Sequence, residues 1–300
     1  MYHNPVLLHP SVDGLIVNPS GTYVDVTFGG GGHSRRILEK LNPDGRLIAF
    51  DQDPDSQRNI PEDGRFQFVP FNFCYLKKFL QYYQAYPVDG ILADLGVSSY
   101  QFDTADRGFS HRLEGTLDMR MNSTKGVTAY QVVNEYPVSR LADIFYQYGE
   151  LSEGRQLAQH IDKHREKKIQ TTTELVELVS PLLPRGKENK VLSQIFQALR
   201  IEVNNEMGVL QDFLSQTADA LKPGGRLVVI SYHSLEDRLV KNYMKAGNFE
   251  GNVEKDFFGN PLSPFNLVTR KPQVPDEQEI EENSRARSAK LRIAEKKENK

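Results

Sequence analysis

The chain has 300 residues, 38% hydrophobic and 26% charged, with a mass of 34.1 kDa, a length that suits two domains or one large domain carrying an insertion. No stretch approaches the roughly 18 consecutive apolar residues of a membrane helix, so no membrane partner is expected. A single cysteine, Cys74, excludes a disulfide framework and a cysteine-rich zinc site, and 37 basic against 40 acidic residues, net -3, exclude nucleic-acid binding by bulk charge.

Met1-Tyr2-His3-Asn4-Pro5 lacks the basic-then-apolar order of a secretory leader, so a cytoplasmic protein is expected. From there, strand-length apolar runs alternate with helical patterns: Tyr23 to Thr27, Arg46 to Asp51, Phe66 to Pro70 and Val88 to Asp94. Such alternation is the signature of βα units building a parallel sheet. A fifth strand, Gly225 to Ser231, follows a periodic helix with Val209, Leu210, Phe213, Leu214 and Thr217 on one face, stopped at Lys222-Pro223-Gly224-Gly225.

About 130 residues separate the fourth and fifth strands, far more than one crossover needs, so a domain is inserted there. Its pattern is helical at Ser139 to Tyr148, Ser152 to Lys168 and Val191 to Val203. Thr171-Thr172-Thr173-Glu174 fits a capping box ahead of Leu175, Leu178 and Val179. The tail from Asp276 to Lys300 carries 14 charges. Phe265 to Arg270 and Ala289 to Ile293 suit a closing antiparallel pair, and Glu295 to Lys300 read as disordered.

Chemistry concentrates at four strand ends. Val24 to Ser34, VDVTFGGGGHS, passes from a strand through Gly29, Gly30, Gly31 and Gly32 into a helix. Glycines there permit a sharp turn and close approach of a ligand to the backbone, with helix-start amides facing it. Asp51 follows Gly31 by 20 residues at the end of the next strand, where a carboxylate can accept both ribose hydroxyls of an adenosine. The dinucleotide pattern GxGxxG fails, because its third glycine would fall on Ser34 or Arg35. S-Adenosyl-L-methionine (AdoMet) has no pyrophosphate to hold and suits the relaxed loop, with Asp25 near its methionine end.

At the end of the fourth strand, Asp94-Leu95-Gly96-Val97-Ser98-Ser99 puts a carboxylate on the edge where open α/β sheets bind ligands. After the fifth strand, Ser231-Tyr232-His233 puts an imidazole on the same edge. No GxSxG elbow is present, and His160 and His164 lack the HExxH frame of a zinc site and sit among Arg155, Lys163, Arg165, Lys167 and Lys168, so no metal is expected. That run reads as a solvated basic face, with RNA phosphate contact as its functional form. Cys74 follows the third strand rather than the strand-four acid, which argues against cysteine attack on a pyrimidine ring and favours an exocyclic amine as methyl acceptor.

Assembled in order, NPVLL from Asn4, TFGGGGHS, DLGVSS, RGFS from Arg107, LDMRM from Leu117, FQALRI from Phe196, ISYHSLEDR from Ile230 and NSRARSAKLRIAE from Asn283 resemble, nearly end to end, the bacterial 16S ribosomal RNA cytosine-N4 methyltransferases (RsmH, also called MraW). The resemblance implies a class I AdoMet-dependent methyltransferase: an α/β, Rossmann-like, mostly parallel seven-stranded sheet with an inserted all-helical domain. Residues 1–103 and 207–300 would form the catalytic domain and 104–206 the substrate-recognition domain. It further implies AdoMet contacts at Gly31, Gly32, His33, Asp51, Phe73, Asp94 and Gln101, and a cytidine of the decoding region, on the small ribosomal subunit, as target.

A mechanism follows as an expectation. Asp94 orients the amine or relays its proton, His233 is the second choice, and Ser98 and Ser99 support. Arg107, Arg112 and Arg120 would hold phosphates or the base. The insertion carries 14 basic and 14 acidic residues between Thr104 and Glu206, a balance that suits a shaped ribosomal surface rather than indiscriminate RNA binding. A monomer or homodimer is expected. Rival readings are an AdoMet-dependent amino-methyltransferase on another nucleic acid or a small amine, a non-catalytic ribosome-assembly factor, and, disfavoured by the missing glycine, a nicotinamide oxidoreductase.

Overall fold

Alternation of side chains across each strand builds the first unit. A computed structural model of the chain describes residues 5–298 and divides it into two compact units, one running up to Gly96 and resuming at Met207, the other Val97–Glu206. Asn4 of the NPVLL string and the terminal residues 299–300 lie outside the described residues. Strands β1 (Thr22–Asp25), β2 (Arg46–Phe50), β3 (Phe66–Val69), β4 (Val88–Asp94), β5 (Leu221–Ser231), β6 (Phe265–Leu267) and β7 (Lys290–Lys296) form one sheet in the order β3-β2-β1-β4-β5-β7-β6. The first five pair in parallel, and β7 runs antiparallel to both β5 and β6. This is the class I methyltransferase arrangement that the resemblance implies.

Both faces are buried, as parallel strands require. Tyr23, Leu47, Leu92, Val228 and Ile230 enter one core with Leu15 and Ile37, while their neighbours Val24, Ile48, Ile91, Leu227 and Val229 enter the other with Leu80 and Phe213. Truncating a fully buried member such as Leu92 to alanine costs about 2–5 kcal/mol. Between β1 and β4 the direction of the crossovers reverses, which opens a crevice at the carboxyl ends of those two strands.

Two strands exceed their sequence reading. Pairing of β5 begins at Leu221, opposite Val88, and then jumps from Val88 to Gly90 against Leu221 to Arg226. The helix-stop residues Lys222 to Gly225 are thus a bulge inside the strand rather than a turn before it. Glu295 and Lys296, expected to be disordered, belong to β7, where Glu295 pairs with Arg226 and Lys296 with Phe265. A 3.3 Å ion pair between Arg226 and Glu295 accompanies the pairing.

The second unit is helical: Ser99–Asp103, Ala129–Glu135, Val138–Gln147, Gly154–His164, Thr172–Val179 and Glu188–Asn204 surround a core of Val132, Leu141, Phe145, Leu157, Ile161, Leu175, Ile195 and Leu199. It begins at Val97, seven residues before the Thr104 taken from the sequence, because Ser98 already caps the first helix. Thr171 and Glu174 make the expected capping box. Buried Asn134 bridges this unit internally, donating to the Ile169 carbonyl at 2.8 Å and accepting from the Ile169 N–H at 2.9 Å. Among the described residues, no helix is long and apolar enough to cross a membrane.

Candidate active site

The glycine loop takes its shape from positive backbone angles. Gly29 has φ 48° and Gly31 φ 73°, and Gly31 caps the helix Gly32–Lys40 in the left-handed conformation, a region that side chains with a Cβ disfavour. A Cβ on Gly31 would meet the Phe28 ring at 3.0 Å, and one on Gly32 would collide with Pro5. Asp51, just past β2, ties the loop down: its Oδ2 accepts from the Gly29 N–H at 2.7 Å and its Oδ1 from the Asp53 N–H at 2.8 Å. Asn59 Nδ2 donates to the Gly29 carbonyl at 2.9 Å. Burial pushes the Asp51 carboxyl up to about 7, against the lowering effect of those two amides.

Asp25 and Ser34 lie beneath the loop. Asp25 is 1% exposed, and its carboxylate accepts from the Ser34 hydroxyl at 2.7 Å and the Thr27 N–H at 3.1 Å. Burial raises its carboxyl, opposed first by His33. The last residue of β1, expected near the methionine end of the cofactor, turns inward and braces the loop. His33 is equally enclosed, with Nε2 3.2 Å from the Val6 carbonyl. Phe73 is half-buried in the 3₁₀ turn Phe73–Tyr75 and packs edge-on to Phe213 at 5.2 Å.

Asp94 closes the crevice at the end of β4. Its N–H donates to the Thr27 hydroxyl at 2.7 Å, which couples it to the segment that follows β1. The side chain is 23% exposed, so a ligand can reach it. Oδ1 accepts from the Tyr232 hydroxyl at 2.7 Å, and Oδ2 lies 3.7 Å from His33 Nδ1. Burial raises the Asp94 carboxyl to about 6; His33 and the Tyr232 hydrogen bond lower it, and the like charges of Asp25 and Glu236 raise it.

His233 is fixed as a cap. It is the N-cap of the helix Ser234–Ala246, its Nδ1 accepts from the Glu236 N–H at 3.4 Å, and its Nε2 lies 3.1 Å from Glu236 Oε1. That arrangement fits a structural role better than the second base the sequence suggests. Tyr232, which the sequence reading passed over, is the side chain that reaches Asp94. The strand register places it there: Asp94 pairs with Ile230, and Tyr232 stands two residues further on the same face.

In the helical unit, Ser98 and Gln101 form a reciprocal cap: Ser98 Oγ accepts from the Gln101 N–H at 3.2 Å, and Gln101 Oε1 from the Ser98 N–H at 3.1 Å. Ser99 opens the helix that they cap. Arg107 is buried, its Nη2 donating to the Arg120 and Met121 carbonyls at 2.9 and 3.0 Å, and Arg120 holds Asp118 at 2.7 Å. Of the three arginines expected to face substrate, only Arg112 is exposed; the others anchor a loop of their own unit. The basic run near His160 is likewise partly structural. Arg165 donates to the Val133 and Tyr136 carbonyls, and His160 Nε2 lies 3.0 Å from the Leu178 carbonyl.

With a glycine loop, a β2 acid and a β4 acid set at one sheet edge, comparison with known proteins decides the family. The model of the MraW methylase family matches residues 1–297. The chain belongs to that family. Relatives named ribosomal RNA small subunit methyltransferase H agree with it over 297 residues each: one from Bacteroides fragilis is 61% identical, covering 99% of this chain and 98% of the relative, and one from Parabacteroides distasonis is 59% identical, covering 98% and 97%. A third, from Christiangramia forsetii, is 56% identical over 296 residues, covering 98% of each chain. In this MraW-family chain three of the family strings, TFGGGGHS, DLGVSS and ISYHSLEDR, fall at the ends of β1, β4 and β5.

Proposed function

We propose that this chain transfers a methyl group from AdoMet to the exocyclic N4 amine of a cytidine in the decoding region of 16S rRNA, with the small ribosomal subunit as substrate. The observation that carries this reading is Asp94: a partly exposed carboxylate at the crevice, with one oxygen turned away from its tyrosine partner, beside a glycine loop tied to a second acid. The relatives' shared name, a small-subunit rRNA methyltransferase, supports the substrate class.

The residues fit AdoMet. Positive φ at Gly29 and Gly31 leaves the backbone bare of Cβ atoms, the Asp51 carboxylate keeps lone pairs beyond those its two amides use, and Phe73 offers an aromatic edge for adenine. Gly29, Gly31, Gly32, Asp51 and Phe73 would hold it, with Asp25 and His33 bracing the loop. When bound, AdoMet supplies a sulfonium-activated methyl, whose bond to sulfur breaks with the electron pair kept by sulfur as the bond to nitrogen forms.

The chain's own task is to orient the acceptor and take its proton. A cytosine amine is a weak nucleophile because its lone pair is delocalised into the ring. A carboxylate accepting one of its N–H bonds favours the tetrahedral nitrogen that attacks and receives the proton released. Asp94 is suited to this, titrating at about 6 and therefore ionised at neutral pH. Cys74 sits in the turn after β3 rather than beside the β4 acid, which supports an amine rather than a ring carbon as acceptor. Of the three arginines expected to face substrate, Arg112 is the exposed one available to an RNA phosphate.

The test offers labelled AdoMet with free rRNA, small subunits and intact ribosomes from a strain lacking the modification, followed by nucleoside analysis. Label in N4-methylcytidine of small subunits supports the proposal. Label in 5-methylcytidine, or no transfer to any ribosomal substrate, contradicts it.

A further inference from the structure

Asp94 is gripped unequally. Its Oδ1 accepts a 2.7 Å hydrogen bond from Tyr232, while among the described residues its Oδ2 accepts none and faces His33 Nδ1 at 3.7 Å. We propose that Tyr232 is a positioning residue for methyl transfer: by occupying Oδ1 it fixes the carboxylate plane and reserves Oδ2 as the oxygen that takes the proton from the acceptor amine. This inference rests on the role proposed for Asp94 and assigns a division of labour between its two oxygens.

Three observations carry it. First, the hydroxyl is a permanent donor, because burial and the adjacent carboxylate hold the Tyr232 phenol well above its ordinary range. Second, the ring is held in place. Tyr232 packs against the core that contains Ile230 and Leu291, and its N–H donates to Glu236 Oε2 at 2.9 Å, so it does not swing freely. Third, the reserved oxygen faces a group that can share a proton. The Val6 carbonyl only accepts, so the His33 Nε2 it contacts carries the ring proton. Nδ1 stands 3.7 Å from Oδ2, the ring atom nearest to a proton arriving there.

The proton balance is simple. The amine nitrogen loses one proton as its bond to the methyl carbon forms, and the Asp94 carboxylate becomes a carboxylic acid at Oδ2. The charged or titratable groups that set the affinity of Asp94 for that proton are Asp25, His33, Tyr232 and Glu236. Removing the Tyr232 hydroxyl deletes a hydrogen bond that favours ionised Asp94, so the carboxyl should hold its proton to higher pH.

The experiment compares the native chain with Tyr232→Phe and Asp94→Asn. Carboxyl 13C titration of the ligand-free protein should show Asp94 in Tyr232→Phe shifted upward by about one pH unit. The acid limb of the kcat profile should shift with it, and the plateau fall roughly tenfold, the worth of one hydrogen bond to a charged group. KM for AdoMet should stay within about twofold, since a positioning defect acts on the transition state. If Tyr232→Phe fails to fold, 3-fluorotyrosine at position 232, a stronger donor, becomes the deciding protein and should move both titrations downward. Titrations and limbs that coincide with the native ones overturn the assignment. Should Asp94→Asn lose turnover while the position-232 proteins match the native chain, only the role of Tyr232 fails; full turnover in Asp94→Asn overturns the role of Asp94 itself.

Discussion

Replacing Asp51 by asparagine separates the cofactor role of this residue from its structural one. Its carboxyl titrates at about 7, so the ionised fraction is roughly one tenth at pH 6 and nine tenths at pH 8. A ribose hydroxyl donates to the ionised form, so AdoMet affinity of the native chain should rise about ninefold over that interval. Folding stability should move the opposite way. Between the ordinary value of 3.8 and about 7 the native state binds more protons than the unfolded one, so this residue's contribution falls as pH rises through that window. Asparagine removes both dependences. It also offers one acceptor oxygen where the carboxylate offers two, so either the Gly29 or the Asp53 amide loses its partner, at a cost of about 1–3 kcal/mol if water does not replace it. At pH 8, loss of a charge-assisted hydrogen bond to ribose should weaken AdoMet binding by roughly 10- to 100-fold. Calorimetric titration of both proteins from pH 6 to pH 8 cancels the ligand's own ionisation. Parallel pH slopes for native and variant would refute the assignment of Asp51 to ribose.

Gly31→Val forces a branched side chain onto φ 73° and toward the Phe28 ring; AdoMet affinity should drop at least about tenfold, read by equilibrium dialysis, with thermal unfolding lowered as well. Cys74→Ser should leave kcat within about twofold, whereas loss of turnover would revive a cysteine-dependent route to a ring carbon. Arg107→Ala should lower Tm by removing the guanidinium that holds the Arg120 and Met121 carbonyls, while Arg112→Ala should leave Tm unchanged and weaken subunit binding; a reversal of the two outcomes would restore Arg107 to the substrate surface. Affinity for small subunits should depend on salt less steeply than for a polycationic binder, and equal binding to any RNA with a steep slope would contradict recognition of a shaped surface.

Backbone chemistry was the legible part. Four consecutive glycines after an apolar run demand a turn with positive φ, alternating apolar runs demand a two-faced sheet, and Thr171 with Glu174 demands a helix start; each is a local rule, and the structure obeys it. Partnerships over long sequence distances were not legible. Tyr232 reaches Asp94 across 138 positions, a contact that exists only because β4 and β5 are neighbours in register. The fates of Asp25, Arg107 and Arg120 follow the same logic: their residue types announce a charge, but whether that charge meets a ligand or another group of the chain depends on which way a strand end or loop turns. Glu295 and Lys296 looked disordered because a charge-rich tail reads as solvated, while the paired strands that capture it lie far upstream.

The most direct measurement is single-turnover methyl transfer to small subunits by Asp94→Asn, at a concentration where AdoMet binding to the variant has been shown to match the native chain. An amide in place of the carboxylate cannot take the amine's proton, so the rate should fall by about 100-fold or more, with substrate and AdoMet still bound. Native-rate formation of N4-methylcytidine by Asp94→Asn would contradict the role assigned to the acid at the end of β4.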